Sequence, residues 1–198
     1  MIKVDIQSKF FGATPVLGPI RFDVPQSQTV ALVGPSGIGK STLLRIVSGI
    51  DTDFKGSVTR PENQAVVFQE PTLLPWRSCL ENLCIFHPEL SKGRALDMLE
   101  RVGLGGMDAL FPGQLSLGQQ RRLSLARAFV GTPEMLIMDE PFVSLDPKTA
   151  QTMLTLTQEL IVETRPATLF VTHDSQEADV LADRILRLQA GPQGAVLV

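Results

Sequence analysis

The chain has 198 residues, 18 Lys+Arg against 21 Asp+Glu, and a formal net charge of −3. That length suits one compact domain, and a 43% hydrophobic content is enough for a core, which excludes a disordered tail. The acidic balance argues against general nucleic-acid binding. No apolar run reaches the roughly 18 residues of a membrane span, and MIKVDIQSKFFG has no signal-peptide pattern, so a soluble intracellular protein is expected.

Residues 2–6 and 21–24 alternate polar and apolar side chains, which predicts a half-exposed antiparallel ribbon. Residues 29–33 (TVALV) are apolar almost throughout, the pattern of a strand covered on both faces, and a glycine-rich turn then opens a helix over 40–48. Residues 65–68 (AVVF) read as a second such strand. From 71 to 117 the chain carries Pro71, Pro75, Pro88 and Pro112 and shows no clear strand, so it reads as a helical insertion in an α/β core. Within it, Cys79, Cys84 and His87 spell C-x4-C-x2-H. No second Cys/His pair completes a zinc set, so buried reduced thiols are expected. Ala95, Met98, Leu99 and Val102 share one face of a helix over 94–102 that Gly103 stops. A further helix is predicted over 118–130, a buried strand over 135–138 (MLIM), and a helix from Pro147 to about 163, with proline in the first turn. Residues 168–171 (TLFV) form the fourth apolar strand. A short helix over 175–182 follows with Ser175 as N-cap, and QAGPQGAVLV reads as a turn and a last strand.

Two stretches carry chemistry. Gly34-Pro35-Ser36-Gly37-Ile38-Gly39-Lys40-Ser41 fits G-x-x-x-x-G-K-[ST], between a predicted strand and a predicted helix. Glycines there let backbone N–H groups converge on phosphate, and the helix turns its positive end toward the anion. Lys40 would reach the β- and γ-phosphates and Ser41 would ligate Mg²⁺. The MLIM strand delivers Asp139 and Glu140 at its C-terminal end, where parallel sheets bind ligands. Asp139 would hold Mg²⁺. Glu140, on the other side by strand alternation, would take a proton from the attacking water.

These residues resemble the ATP-binding subunit of ABC transporters over essentially the whole chain. Leu115-Ser-Leu-Gly-Gln119 looks like the family's LSGGQ signature. Gln69 matches the Q-loop, Ser144-Leu-Asp146 the D-loop, Val171-Thr-His173-Asp174 the switch-histidine loop, and Phe11 the aromatic that stacks on adenine. The resemblance implies an α/β P-loop NTPase (RecA-like) core with an N-terminal antiparallel β subdomain and an α-helical insertion. It implies one nucleotide-binding domain over 1–198, its helical subdomain at about 71–117. With 25 residues after His173, no room is expected for a C-terminal regulatory domain. ATP and Mg²⁺ are the implied cofactors. Gly34 to Ser41 with Thr42, Phe11 and Gln69 would bind the nucleotide. Ser116, Gly118, Gln119 and Asp146 would reach it across a head-to-tail homodimer. Ser41, Gln69 and Asp139 would hold the metal, and Lys40, Glu140 and His173 would act in hydrolysis. Partners would be an integral-membrane permease and, indirectly, a solute-binding protein, with no nucleic acid. The chain would sit peripherally on the cytoplasmic face of the inner membrane.

One departure falls inside the signature, where Leu117 replaces the usual glycine, adding bulk and forbidding easy positive φ. The stretch Phe68-Gln-Glu-Pro-Thr-Leu-Leu-Pro-Trp76, continuing to Glu81-Asn82, is similar to a pattern of nitrate, sulfonate and taurine importers. Leu73, Leu74 and Trp76 would form an apolar cluster that either receives a permease helix or packs the helical subdomain. The alternatives to an importer are the ATPase of an exporter or lipoprotein-release system, and a non-transport ABC ATPase.

Overall fold

The computed structural model describes residues 1–143 and 145–198, so Ser144 of the D-loop match lies outside the described residues. Among these, strands and helices follow in the order β1 (Ile2–Phe11), β2 (Thr14–Leu17), β3 (Ile20–Val24), β4 (Thr29–Val33), α1 (Lys40–Ser48), β5 (Lys55–Thr59), β6 (Gln64–Val67), α2 (Cys79–Cys84), α3 (Lys92–Arg101), α4 (Leu117–Val130), β7 (Met135–Asp139), α5 (Pro147–Thr164), β8 (Ala167–Val171), α6 (Ser175–Leu181), β9 (Arg184–Gly191) and β10 (Gly194–Leu197). They fall into two compact units. The first holds residues 1–66, 134–140 and 165–198, and the second holds 67–133 and 141–164.

The first unit is built on a sheet of order β3-β1-β2-β10-β9-β4-β8-β7-β6, with β5 also on β1. β4 runs parallel to β8 and β9, and β8 parallel to β7. β4, β7 and β8 are apolar and buried nearly end to end, as strands covered on both faces must be. β1 and β3 pair antiparallel from Ile2↔Val24 to Ile6↔Ile20, and the buried residues alternate along both. The core joins Ile2, Val4 and Ile6 to Leu32, Leu43, Ile46, Ile137, Leu169 and Leu188.

In the second unit α4 is the central helix and buries Leu123, Leu125, Ala126, Phe129 and Val130. Ser78, Ser91 and Ser116 cap α2, α3 and α4, each accepting an N–H from the first turn. Arg101 on α3 grips Glu163 on α5 with two hydrogen bonds, 3.1 and 2.6 Å long. This unit holds the 71–117 stretch together with α4 and α5, with α4 packing on α2, α3 and α5. Two expectations are corrected locally. The cap of α6 is Asp174, whose carboxylate accepts the Gln176 N–H at 2.7 Å, and Ser175 is already helical. The last strand pairs with β9, a longer strand that begins at Arg184. Cys79 and Cys84 are free thiols, and no cluster of metal-binding side chains occurs among the described residues. No described helix is long and apolar enough to cross a membrane.

Candidate functional site

The loop from Gly34 to Lys40 joins β4 to α1. Gly39 caps α1 at φ 112°, and a Cβ there would come within 2.9 Å of Leu17 and 3.3 Å of Val16. Only glycine therefore lets the loop turn so close to the β1–β2 hairpin. Pro35, Ser36 and Gly37 are exposed, while Ile38 packs on the core. Lys40 folds back over the loop, its Nζ donating to the carbonyls of Gly34 at 2.9 Å and Pro35 at 3.0 Å. Ser41 follows exposed, with Thr42 half-buried behind it.

β7 brings Asp139 to this loop. The Asp139 carboxylate is hydrogen-bonded to Ser41, with Lys40 and Arg45 near enough to act on its charge. Burial pushes the carboxyl above its usual range against the pull of Ser41, and the neighbouring Glu140 charge adds to the rise. A serine hydroxyl beside one half-buried carboxylate is an all-oxygen donor set, which suits a hard ion such as Mg²⁺ that keeps several waters.

Glu140 is not the next residue of the strand. It adopts φ 46°, and its N–H donates to Val171 O at 3.0 Å. A left-handed turn, rather than alternation, thus aims its side chain, and its Oε2 stands 3.7 Å from His173 Nδ1. His173 is exposed, but its loop is pinned on both sides. The buried Thr172 hydroxyl donates to Glu177 and accepts from the Asp174 N–H at 3.0 Å. Nothing in the residue spacing announced the hydrogen bond between Thr172 and Glu177. Burial raises the Glu177 carboxyl, with the Thr172 hydrogen bond opposing it.

Phe11 ends β1 before the Gly12 turn. Both Phe10 and Phe11 are exposed, because a bulge between Lys9 and Phe10 breaks the register with β2.

Gln69, Ser116, Gly118, Gln119 and Asp146 belong to the second unit. Gln69 is exposed just past β6. Ser116 and Gln119 form a capping box: Ser116 N–H donates to Gln119 Oε1 at 2.8 Å and Gln119 N–H to Ser116 Oγ at 3.3 Å. Leu117 is the first helical residue and is half exposed. Neither Leu117 nor Gly118 has a positive φ, so the conformational objection to leucine does not arise, and only bulk distinguishes it from glycine. Asp146 caps α5, its Oδ1 accepting the Thr149 N–H at 3.1 Å, and that interaction holds its carboxyl below the usual range.

The loop after Gln69 is stapled twice. Arg127 on α4 donates to Thr72 O at 2.7 Å and Thr72 Oγ1 at 3.1 Å. Asn82 on α2 is wholly buried. Its Oδ1 accepts the Leu74 N–H at 2.9 Å, and its Nδ2 donates to the carbonyls of Leu74, Arg77 and Ser78 at 3.0–3.1 Å. Trp76, between those anchors, is 68% exposed, which removes the core reading of that residue.

A glycine loop that holds its own lysine, on a parallel sheet in which β7, separated from β4 by β8, supplies an Asp-Glu end, defines a P-loop nucleoside triphosphatase. The model of the ABC transporter family matches residues 17–143, and the chain belongs to that family as one of its ATP-hydrolysing subunits. It is 45% identical over 184 residues to the aliphatic sulfonates import ATP-binding protein SsuB 2 of Rhodococcus jostii, covering 91% of this chain and 75% of the relative. The corresponding protein of Streptomyces avermitilis is 46% identical over 192 residues, covering 94% and 76%. Among solved structures, the dimeric post-hydrolysis ATP-binding cassette MJ0796 bound to ADP and Pi matches with a TM-score of 0.81 at 28% identity, covering 96% of this chain and 94% of that one.

Proposed function

We infer that this chain is the ATPase subunit of an importer and drives a separate membrane permease from the cytoplasmic face. The importer relatives named for aliphatic sulfonates support small organic sulfonates as the solute class, delivered by a solute-binding protein. Two copies would close head to tail on two nucleotides, a reading supported by the dimeric cassette of similar fold. In each site the loop from Gly34 to Thr42 cradles the phosphates, and Phe11 stacks on adenine. Ser116, Gly118 and Gln119 of the other copy face the γ-phosphate at the positive end of α4, and Asp146 bridges the two sites.

The observation that carries the hydrolytic reading is Glu140, held out of the strand with its carboxylate beside His173. Glu140 takes the proton of the attacking water, His173 positions that water, and Lys40 leaves the loop carbonyls to bind phosphate oxygens. Ser41, Asp139 and Gln69 would hold Mg²⁺, which when bound neutralises phosphate charge. The test is purification of the intact complex from membranes by a tag on this chain. A co-purifying permease, with ATPase activity raised by sulfonate-loaded binding protein in vesicles, is the expected result. A complex whose ATPase responds only to a substrate offered from the cytoplasmic side would overturn import.

Trp76→Ala should leave folding and ATP binding of the isolated subunit intact, since two thirds of the residue is already in water. It should weaken association with the permease and lower transport-coupled hydrolysis, because exposed tryptophans anchor interfaces. Unchanged co-purification of the permease would sink the docking role.

Leu117→Gly should not change ATP affinity of the single chain, since only side-chain bulk at the start of α4 is removed. ATP-driven dimerisation should change. Equal dimerisation constants in sedimentation, measured with Glu140→Gln in both proteins, would show that Leu117 has no part in the sandwich.

A further inference from the structure

We propose that Lys9 is a positioning residue for the nucleobase, holding the Phe11 ring in the orientation in which it stacks. This rests on the reading that Phe11 carries adenine. The Lys9 ammonium lies 4.8 Å from the centroid of the Phe11 ring, within cation–π range. Lys9 is itself buried, only 2% exposed, which is rare for lysine unless it is paired. Its partners come from one short turn after α1. Nζ donates to Asp51 Oδ1 at 2.9 Å, to the Asp53 carbonyl at 2.5 Å, and stands 3.4 Å from Asp53 Oδ2. Asp51 Oδ1 also accepts the Asp53 N–H at 3.0 Å, which fixes the turn.

All three ammonium hydrogens thus have oxygen partners, so the cation cannot swing away from the ring. The lysine sits at the residue where the bulge begins, two positions before Phe11 and on the same side of the strand. Without an anchor there, the end of β1, facing the bulge that Val16 makes in β2, would let the ring turn over the hairpin tip. With Lys9 against it, Phe11 keeps 54% of its surface open to a base. The hairpin meets the phosphate loop through Val16 and Leu17 at Gly39, so the anchored ring belongs to the same unit as the phosphate cradle. Two aspartates damp the pull of the cation on the ring electrons, so orientation outweighs electronic tuning. A purely structural ion pair would not need a ring on its remaining side. An apolar residue would fill a buried site at least as cheaply.

The test compares ATP with tripolyphosphate, which has no base, by calorimetry on the full chain. Lys9→Met should lower ATP affinity by about threefold to tenfold and leave tripolyphosphate affinity unchanged. Lys9→Arg, which keeps the cation, should stay within about twofold of the wild type. In a Phe11→Ala background Lys9→Met should change ATP affinity by less than about twofold, because the ring it orients is gone. Equal losses for both ligands, no loss for either, or effects that add to Phe11→Ala would overturn the proposal. If Lys9→Met does not fold, Lys9→Gln keeps donors toward the aspartates without the charge and takes its place. Phe11→Ala separates the two layers of the argument. If it leaves ATP affinity unchanged, the stacking reading falls and the role of Lys9 with it. If it weakens ATP while Lys9→Met does not, only the role of Lys9 falls.

Discussion

Glu140→Gln is expected to cut ATP turnover by about 10²–10⁴-fold, the loss that removing a general base produces. The replacement is isosteric, and the backbone at 140 is held by its N–H to Val171 O, which glutamine keeps. Binding should survive, because Lys40, Ser41 and the loop amides are untouched. The consequence is an ATP-loaded protein that does not turn over, visible in sedimentation as a nucleotide-dependent dimer. Phosphate release measured under single-turnover conditions decides the matter, and a wild-type rate would remove Glu140 from the chemistry.

Asn82→Ala should lower folding stability by roughly 2–4 kcal/mol. The alanine leaves the Leu74 N–H and the Arg77 carbonyl without the Asn82 side chain, while the Leu74 and Ser78 carbonyls keep the backbone N–H groups of Arg77 and Asn82, and each buried group left unpaired costs about 1–3 kcal/mol. Rehydration of the more exposed carbonyls recovers part of that. Asn82→Asp should be nearly as costly, since it retains the acceptor for Leu74 and loses every donor. Urea midpoints of both variants measure the effect. Because Asn82 shapes the loop that presents Trp76, surviving Asn82→Ala protein should also share the weakened permease association of Trp76→Ala. A stability change under about 0.5 kcal/mol would show that Asn82 is not the pin.

The parts of this molecule governed by short-range rules were readable in the chain. The four apolar runs became β4, β6, β7 and β8 within a residue or so; β4, β7 and β8 are buried on both faces, where polar residues have no place, whereas β6, at the end of the sheet, is only partly buried and does not meet that expectation. The helix at 40–48 was fixed by its glycines and lysine. What escaped was set by partners far away in sequence. β5, Lys55–Thr59, is almost wholly exposed and has no apolar pattern, and it is a strand because it pairs with β1. β9 carries three arginine-flanked apolar positions that mean little until β4 and β10 lie on either side. At the site, the motif order pointed to Lys40, Ser41 and Asp139, and the structure brings them together. The turn that aims Glu140 at His173 was not legible, since alternation predicts an extended residue and φ 46° is a departure only a three-dimensional setting can impose. Lys9 was missed because its partners, Asp51 and Asp53, lie far along the chain, and although Thr172 and Asn82 stood in recognised stretches, nothing in the sequence showed which hydrogen bonds their side chains make.

The left-handed backbone of Glu140 sets stability against hydrolysis under selection. A non-glycine residue in the left-handed region costs on the order of 1 kcal/mol, a cost the fold bears at every moment, whether or not nucleotide is bound. Glu140→Gly should therefore melt no earlier than the wild type, and up to about 1 kcal/mol of stability should be gained, while hydrolysis is lost. A library screened for heat resistance alone would drift toward glycine or asparagine at this position. One screened for growth on the transported solute would hold glutamate against that drift. Sequencing position 140 after each regime would show the two pressures pulling in opposite directions on a single codon.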